Sequence, residues 1–189
     1  MVAAELPAGL ILVSGPSRGG KSRWAEHLAE RSGRPVIYLA TGPTLPDDPD
    51  WQRRLERHRR RRPASWDCRE VGEHLPTALD SLGSTPVVLV DSLGTWVAAC
   101  LDCDPSHWEE RCTSLLQALG RCPAPLIVVC EAVGWGVVPA TAMGGLFRDR
   151  LGRLEQRLME RAAAAWLVLA GRALNLLALS EPVPPGAED

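Results

Sequence analysis

Short apolar runs alternate along this chain with longer polar stretches of helical period. Gly9-Leu-Ile-Leu-Val-Ser14 is continuous and apolar, as a parallel strand buried on both faces requires. A glycine-rich turn follows, and Lys21 to Arg31 then has helical character, with Trp24, Ala25, Leu28 and Ala29 facing the sheet. Gly33 ends that helix. Pro35–Ala40 reads as a second strand, and Thr41–Pro49, dense in proline and glycine, as a loop. Asp50 is positioned to cap a helix over 50–61, which Pro63 stops. The rhythm then repeats, with strands predicted over 86–91, 125–131 and 165–170 and helices over 106–119 and 142–164. Leu174–Leu179 adds an edge strand, and the proline- and acid-rich Glu181–Asp189 reads as a disordered tail. The pattern predicts an α/β fold of the P-loop NTPase type, RecA-like. A mostly parallel sheet carries helices on both faces in a single domain, residues 1–180.

The 189 residues, 46% of them hydrophobic, are enough for one full core. A net charge of −2 gives no overall positive field for nucleic acid, and no apolar run approaches the roughly 20 residues a bilayer span needs. Met1–Gly9 carries Glu5 and no basic cluster, unlike a secretory leader, so the expected compartment is the cytoplasm. The six cysteines then read as small buried thiols, although Cys100-x-x-Cys103 with His107 and Cys112 offers zinc as an alternative.

Of 21 cationic side chains 20 are arginine, and the single lysine is Lys21. It falls in Gly15-Pro16-Ser17-Arg18-Gly19-Gly20-Lys21-Ser22, which matches G-x-x-x-x-G-K-[ST] between a strand and a helix. Such a turn aims backbone N–H groups at the phosphates of a nucleoside triphosphate. Lys21 then reaches the β- and γ-oxygens, and the Ser22 hydroxyl ligates Mg²⁺. Asp91, at the carboxyl edge of an apolar run, is the candidate second holder of that ion, through a bound water.

A second constellation lies in the 50–61 helix. Arg53, Arg54, Arg57, Arg59, Arg60, Arg61 and Arg62 surround His58, and Glu56 is the sole acid of the stretch. Such a helix repels itself and calls for an anion, which a triphosphate supplies in bidentate geometry. The cations also disfavour imidazolium, leaving His58 neutral and able to attack phosphorus, at the α-position or the γ-position. The competing reading makes His58 one more solvated group on a charged surface. His27, His74 and His107 read as surface or capping residues.

These motifs together resemble the bifunctional adenosylcobinamide kinase/adenosylcobinamide-phosphate guanylyltransferase family of cobalamin biosynthesis. The resemblance runs over 10–171: residues 10–23, Val36–Thr41, His58 followed by Arg62-Pro-Ala-Ser-Trp66, residues 133–139, and Phe147–Arg153. It departs from the usual pattern at Gly19, where serine is common, at Glu131-Ala132, where Asn-Glu is common, and at Glu155, where Asn is frequent. The resemblance implies phosphorylation of adenosylcobinamide by ATP or GTP, then transfer of GMP from GTP through a guanylyl-histidine. It implies that His58 is the guanylylated residue and that Arg59, Arg60, Arg61 and Arg62 lie beside the bound nucleotide. Thr41, Gly42, Pro43 and Glu70 are implied as further nucleotide contacts, and a homotrimer as the assembly. Two rivals follow from the same residues: a P-loop kinase of another small alcohol with His58 a spectator, and a RecA-like NTPase gripping nucleic acid, which the overall acidity opposes.

Overall fold

The computed structural model describes residues 6–45, 47–136 and 138–184. Among them seven strands form one sheet in the order β3-β2-β4-β5-β1-β6-β7. The strands are β1 (Leu10–Gly15), β2 (Val36–Ala40), β3 (Asp67–Glu70), β4 (Val87–Asp91), β5 (Leu126–Glu131), β6 (Ala162–Leu169) and β7 (Arg172–Asn175). All neighbours are parallel except β7, which returns antiparallel to β6.

Alternation along each strand feeds two cores. Leu10, Leu12, Val88, Val90, Leu126 and Val128 face one side, and Ile11, Val13, Val87, Leu89, Ile127 and Val129 face the other. This is why the strands read as unbroken apolar runs. Helix α1 (Lys21–Arg31) covers the second side with Ala25, Leu28 and Ala29, while Trp24 packs at its margin. The first side is covered by α3 (Leu75–Asp80), α4 (Leu93–Ala98), α5 (Pro105–Arg121) and α6 (Ala142–Met159).

Several expectations are corrected. Helix α2 spans Pro49–Arg61, and its cap is Asp48, whose carboxylate accepts from the N–H groups of Asp50 and Trp51 at 3.0 and 2.9 Å. Proline lacks an N–H and has its φ preset, so Pro49 opens the helix rather than closing a loop. The alanines 162–164, good helix formers, are strand: Leu10 pairs with Ala162, Ile11 with Ala164 and Leu12 with Ala165. Helix α6 therefore ends at Met159. Ala170 and Gly171, at φ 51° and 75°, form a tight turn into β7, which occupies 172–175 in place of the expected 174–179. Leu176–Leu179 is a helical turn, α7, capped by Asn175.

Strand β3, the sequence Asp-Cys-Arg-Glu, carries no apolar alternation and sits exposed on the sheet edge. Its Cys68 is exposed, against the expectation of buried thiols, while Cys100, Cys112 and Cys130 are buried. The Cys100–Cys103 turn is organised by the buried Arg150, which donates to the carbonyls of Cys100, Leu101 and Cys103. Burial raises the thiol of Cys100, and that of Cys112 to about 12, which opposes the thiolate a zinc ion requires. Among the described residues no group of three or more His, Cys, Asp and Glu can hold a metal. Of the expected disordered tail, residues 185–189 lie outside the described ones, as do residues 1–5 of the stretch compared with a leader.

Candidate active site

The parallel strands β1, β2, β4 and β5 end on one edge, and the motif residues collect there. Gly15, Asp91 and Glu131 close their strands, with Gly15 in register with Glu131 and Ala40 with Asp91. Past Gly15 the chain turns through Pro16, Ser17, Arg18, Gly19 and Gly20, and the N–H of Gly19 donates to the Pro16 carbonyl at 3.2 Å. The turn is built against β6. A Cβ on Gly15 would overlap the Val168 carbonyl oxygen, and one on Gly19 would lie 2.6 Å from it. Gly20, at φ 111°, is the N-cap of α1 and offers no side chain, so the helix start presents its N–H groups bare. Arg18 accepts φ 60° without being glycine. Lys21 is buried, and its Nζ donates to the Pro16 carbonyl at 2.9 Å, so the lysine lies within the turn as the motif requires. Ser22 follows it on the first turn of the helix.

Asp91 is not adjacent to that turn in the sheet, because β5 separates β4 from β1. It is half-buried, and its Oδ2 accepts from the Tyr38 hydroxyl at 2.8 Å. Burial and the neighbouring Asp91 carboxylate push the Tyr38 hydroxyl well above its usual range, so it stays a donor. The same Oδ2 stands 3.9 Å from Nδ1 of His58, whose side chain is only 22% exposed. Helix α2 thus delivers its histidine to the sheet edge, not to open solvent.

Two of the arginines around His58 are met by carboxylates from other elements, which the local sequence could not show, and two by acids of α2 itself. Arg61 Nη2 lies 3.1 Å from Glu26 of α1 and 3.3 Å from His58 Nδ1. Burial raises the Glu26 carboxyl, and Arg61 partly offsets the rise. Arg59 pairs with Glu70 of β3 at 2.7 Å, Arg60 with Glu56 at 2.9 Å, and Arg53 with Asp50. The Arg62 guanidinium lies 3.5 Å from the Tyr38 ring centroid. Arg53, Arg59, Arg60 and Arg61 thus each have a carboxylate partner within the protein, which reduces the self-repulsion of α2, and His58 has Arg61 and the opposing Asp91 among its neighbours.

Gly42 and Pro43 dock α2, and Thr41 ties the same loop to the turn after β4. The Pro43 carbonyl accepts from Trp51 Nε1 at 2.8 Å, and a Cβ on Gly42 would lie 3.0 Å from the Trp51 ring. Thr41 is buried, and its hydroxyl donates to the Ser92 carbonyl at 2.5 Å while accepting from the Ser92 N–H at 3.0 Å. Glu70 also accepts from Thr44 at 3.4 Å.

Two further carboxylates shape the edge. Glu131 accepts from Ser92 Oγ at 2.6 Å and from the Gly94 N–H at 2.8 Å, locking the turn after Asp91. Glu155 of α6 accepts from Ser14 of β1, and burial, with Glu131 nearby, raises its carboxyl despite Lys21. The partner roles of Tyr38, Glu26 and Glu131 escape sequence reasoning, because each is set by a residue remote in the chain. The one visible signal is that Tyr38 is the single tyrosine, placed near the end of a buried strand.

The family model described as cobinamide kinase/cobinamide phosphate guanyltransferase matches residues 11–176. Two relatives are each 36% identical to this chain. The bifunctional adenosylcobalamin biosynthesis protein CobU of Escherichia coli (strain K12) aligns over 177 residues, 86% of this chain and 96% of that protein. The bifunctional adenosylcobalamin biosynthesis protein CobP of Pseudomonas aeruginosa aligns over 167, 87% and 95%. Among solved structures, the protein PH0250 of Pyrococcus horikoshii superposes with a TM-score of 0.54 at 6% identity, covering 92% of this chain and 87% of that one. An ATPase of a bacterial type III secretion system does so with 0.53 at 13%, covering 84% and 50%. Those two likenesses speak to the fold alone. With the model match spanning most of the chain and the relatives aligned nearly end to end, the chain belongs to the cobinamide kinase/cobinamide phosphate guanyltransferase family.

Proposed function

We propose that this protein is a bifunctional transferase of cobalamin biosynthesis, which phosphorylates adenosylcobinamide with ATP or GTP and then joins GMP to that phosphate. The observation that carries the reading is His58 meeting Asp91 at the strand edge that also ends in the Lys21 turn. A spectator histidine on a solvated helix would have no reason to be there.

In the first step the turn over Gly15–Ser22 holds the triphosphate and Lys21 neutralises its β,γ-oxygens. The acceptor hydroxyl oxygen attacks the γ-phosphorus, the bond to the nucleoside diphosphate breaks with its electron pair going to the diphosphate oxygen, and the hydroxyl proton passes to solvent water. The residues present fit Mg²⁺: Ser22 would offer a hydroxyl and Asp91 a carboxylate, the hard oxygen donors that ion takes beside substrate phosphates. When bound, that ion neutralises charge on the transferring phosphates.

In the second step Nδ1 of His58 is turned toward Asp91 and Arg61, so Nε2 is the nitrogen assigned to the attack. Its lone pair forms the N–P bond to the α-phosphorus of GTP as the P–O bond to the β-phosphate breaks and pyrophosphate leaves with the electron pair. Asp91 faces the imidazolium that results and stabilises it. An oxygen of cobinamide phosphate then attacks the same phosphorus, and the N–P electrons return to the ring. We assign Arg59, Arg60, Arg61 and Arg62 to charge neutralisation around the nucleotide, where the triphosphate displaces Glu70, Glu56 and Glu26 as their partners. Gly42 and Pro43 support that surface through α2, Thr41 holds their loop to Ser92, and Glu70 holds Arg59 in place until the nucleotide arrives.

We also propose a homotrimer working in the cytoplasm. The exposed Leu174, Leu177 and Leu179 beside the sheet edge support an interface there, and light scattering is expected to give three times the 20.5 kDa chain mass. No helix among the described residues is long and apolar enough to cross a membrane.

The test of the two-step reading is incubation with α-labelled GTP and Mg²⁺, followed by denaturation. An acid-labile, alkali-stable label that disappears in His58→Ala is expected. Label retained in that variant would move the nucleophile elsewhere, and no label with intact phosphoryl transfer would favour the simple kinase.

A further inference from the structure

A groove of about 280 Å³ opens beside the glycine-rich turn, on the flank of β1 away from Asp91. Gly20, Arg23 and Trp24 line it from the turn and α1, and Val168, Gly171 and Ala173 from the β6–β7 hairpin. The groove is continuous with the phosphate cradle. Gly20 belongs to both, and the Gly171 N–H donates to the Gly19 carbonyl at 3.0 Å, so the hairpin is fastened to the turn. Its size is at the small end of ligand pockets, about 300–1,000 Å³, which suits one end of a ligand whose remainder lies elsewhere.

The lining has the chemistry of a heterocycle site. The Trp24 indole belongs to an aromatic group, 5.0 Å from Trp166 in edge contact and 5.4 Å from His27. Its Nε1 is buried and has no hydrogen-bond acceptor among the described residues, a donor left unsatisfied beside the groove. Arg23 is exposed, and its guanidinium reaches over Gly20, 3.5 Å from where a Cβ there would stand. A planar guanidinium above and an indole beside form a stacking pair that any purine accepts.

Direction follows from the sheet order. Asp91 lies two strands to one side of β1, and the hairpin lies on the other. A triphosphate in the cradle with its γ-phosphate toward Asp91 runs its α-phosphate toward the groove. We infer that this groove seats the purine nucleoside of the phosphoryl donor, with Trp24 and Arg23 as its recognition residues. The inference rests on the proposed kinase step. The GTP that loads His58 must instead turn its α-phosphorus toward β4, so the groove reads the nucleoside of the first step.

The experiment compares two probes on the full chain with Mg²⁺ by calorimetry: the β,γ-imido analogue of ATP, which has a nucleoside, and inorganic tripolyphosphate, which has none. Trp24→Leu and Arg23→Ala are each expected to weaken the analogue about tenfold, the scale of one lost base stack, and to leave tripolyphosphate within twofold of wild type. Arg23→Ala is an exposed helix substitution, so it keeps the test alive if Trp24→Leu unfolds. Unchanged affinity for the analogue, or an equal loss of both probes, would overturn the inference. A wild-type protein that binds tripolyphosphate as tightly as the analogue overturns it also, while one that binds neither overturns the nucleotide-binding reading with it.

Discussion

Gly94 and Glu131 offer a sharp test of what holds the edge carrying Asp91. A Cβ on Gly94 would overlap Glu131 Oε2 and lie 2.8 Å from its Cδ, so Gly94→Ala must push the carboxylate off its seat. That seat consists of two hydrogen bonds, from Ser92 Oγ at 2.6 Å and the Gly94 N–H at 2.8 Å. Bonds to a charged acceptor contribute about 1.5–3 kcal/mol each, and alanine in a helix recovers up to about 1 kcal/mol over glycine. The expected loss is roughly 2–5 kcal/mol, which at about 2–4 °C per kcal/mol lowers Tm by roughly 4–20 °C. Glu131→Ala loses the same two bonds. In the double variant nothing remains to collide with, so Gly94→Ala added to Glu131→Ala should be neutral or slightly stabilising. Urea unfolding of the four proteins measures this cycle. Additive losses, with Gly94→Ala equally costly in both backgrounds, would refute the steric argument.

Other outcomes follow from the same geometry. Glu155 has its carboxyl raised chiefly by burial, so its ionised form is the less stable one in the fold. Stability should fall as pH rises from the unfolded value near 4.5 through the raised native one, and Glu155→Gln should raise Tm at pH 8 while changing it little at pH 4. A larger gain at pH 4 would reverse the assignment. Lys21→Ala should weaken triphosphate binding roughly 100-fold, since a buried ammonium within the turn is removed; titration calorimetry reads it, and retained affinity would exclude the turn as the phosphate site. Tyr38→Phe deletes a donor 2.8 Å from Asp91 and should slow formation of the His58 label about tenfold at saturating GTP; an unchanged rate would mean Asp91 needs no such anchor.

The interior of the fold was legible because a doubly buried strand has a distinctive signature. Residues 10–13, 87–90 and 126–130 are apolar without interruption, and each sits in the middle of the sheet. Legibility fades at the edges. Strand β3 has four exposed residues and is strand only because β2 supplies its hydrogen bonds, and the alanines of β6 are strand only because β1 lies beside them. The site divides the same way. The Lys21 turn is local, so its spacing announces it. The environment of His58 is local only in Arg61, its neighbour on α2: Asp91, Tyr38 and Glu26 come from three other elements, and only folding brings them there. Sequence alone overstated the positive field at that histidine, because Glu26 and Glu70 are remote from it along the chain.

The phosphate turn leans on Val168 and is fastened by Gly171, although it is written near the opposite end of the chain. During synthesis the motif therefore leaves the ribosome long before its backing exists. A nascent or truncated chain that stops short of the last hairpin carries the signature without the rigid bed behind it. On the proposed reading of that turn, nucleotide capture is a property of the finished polypeptide, and a chain ending before residue 168 is expected to bind tripolyphosphate less tightly than the full one.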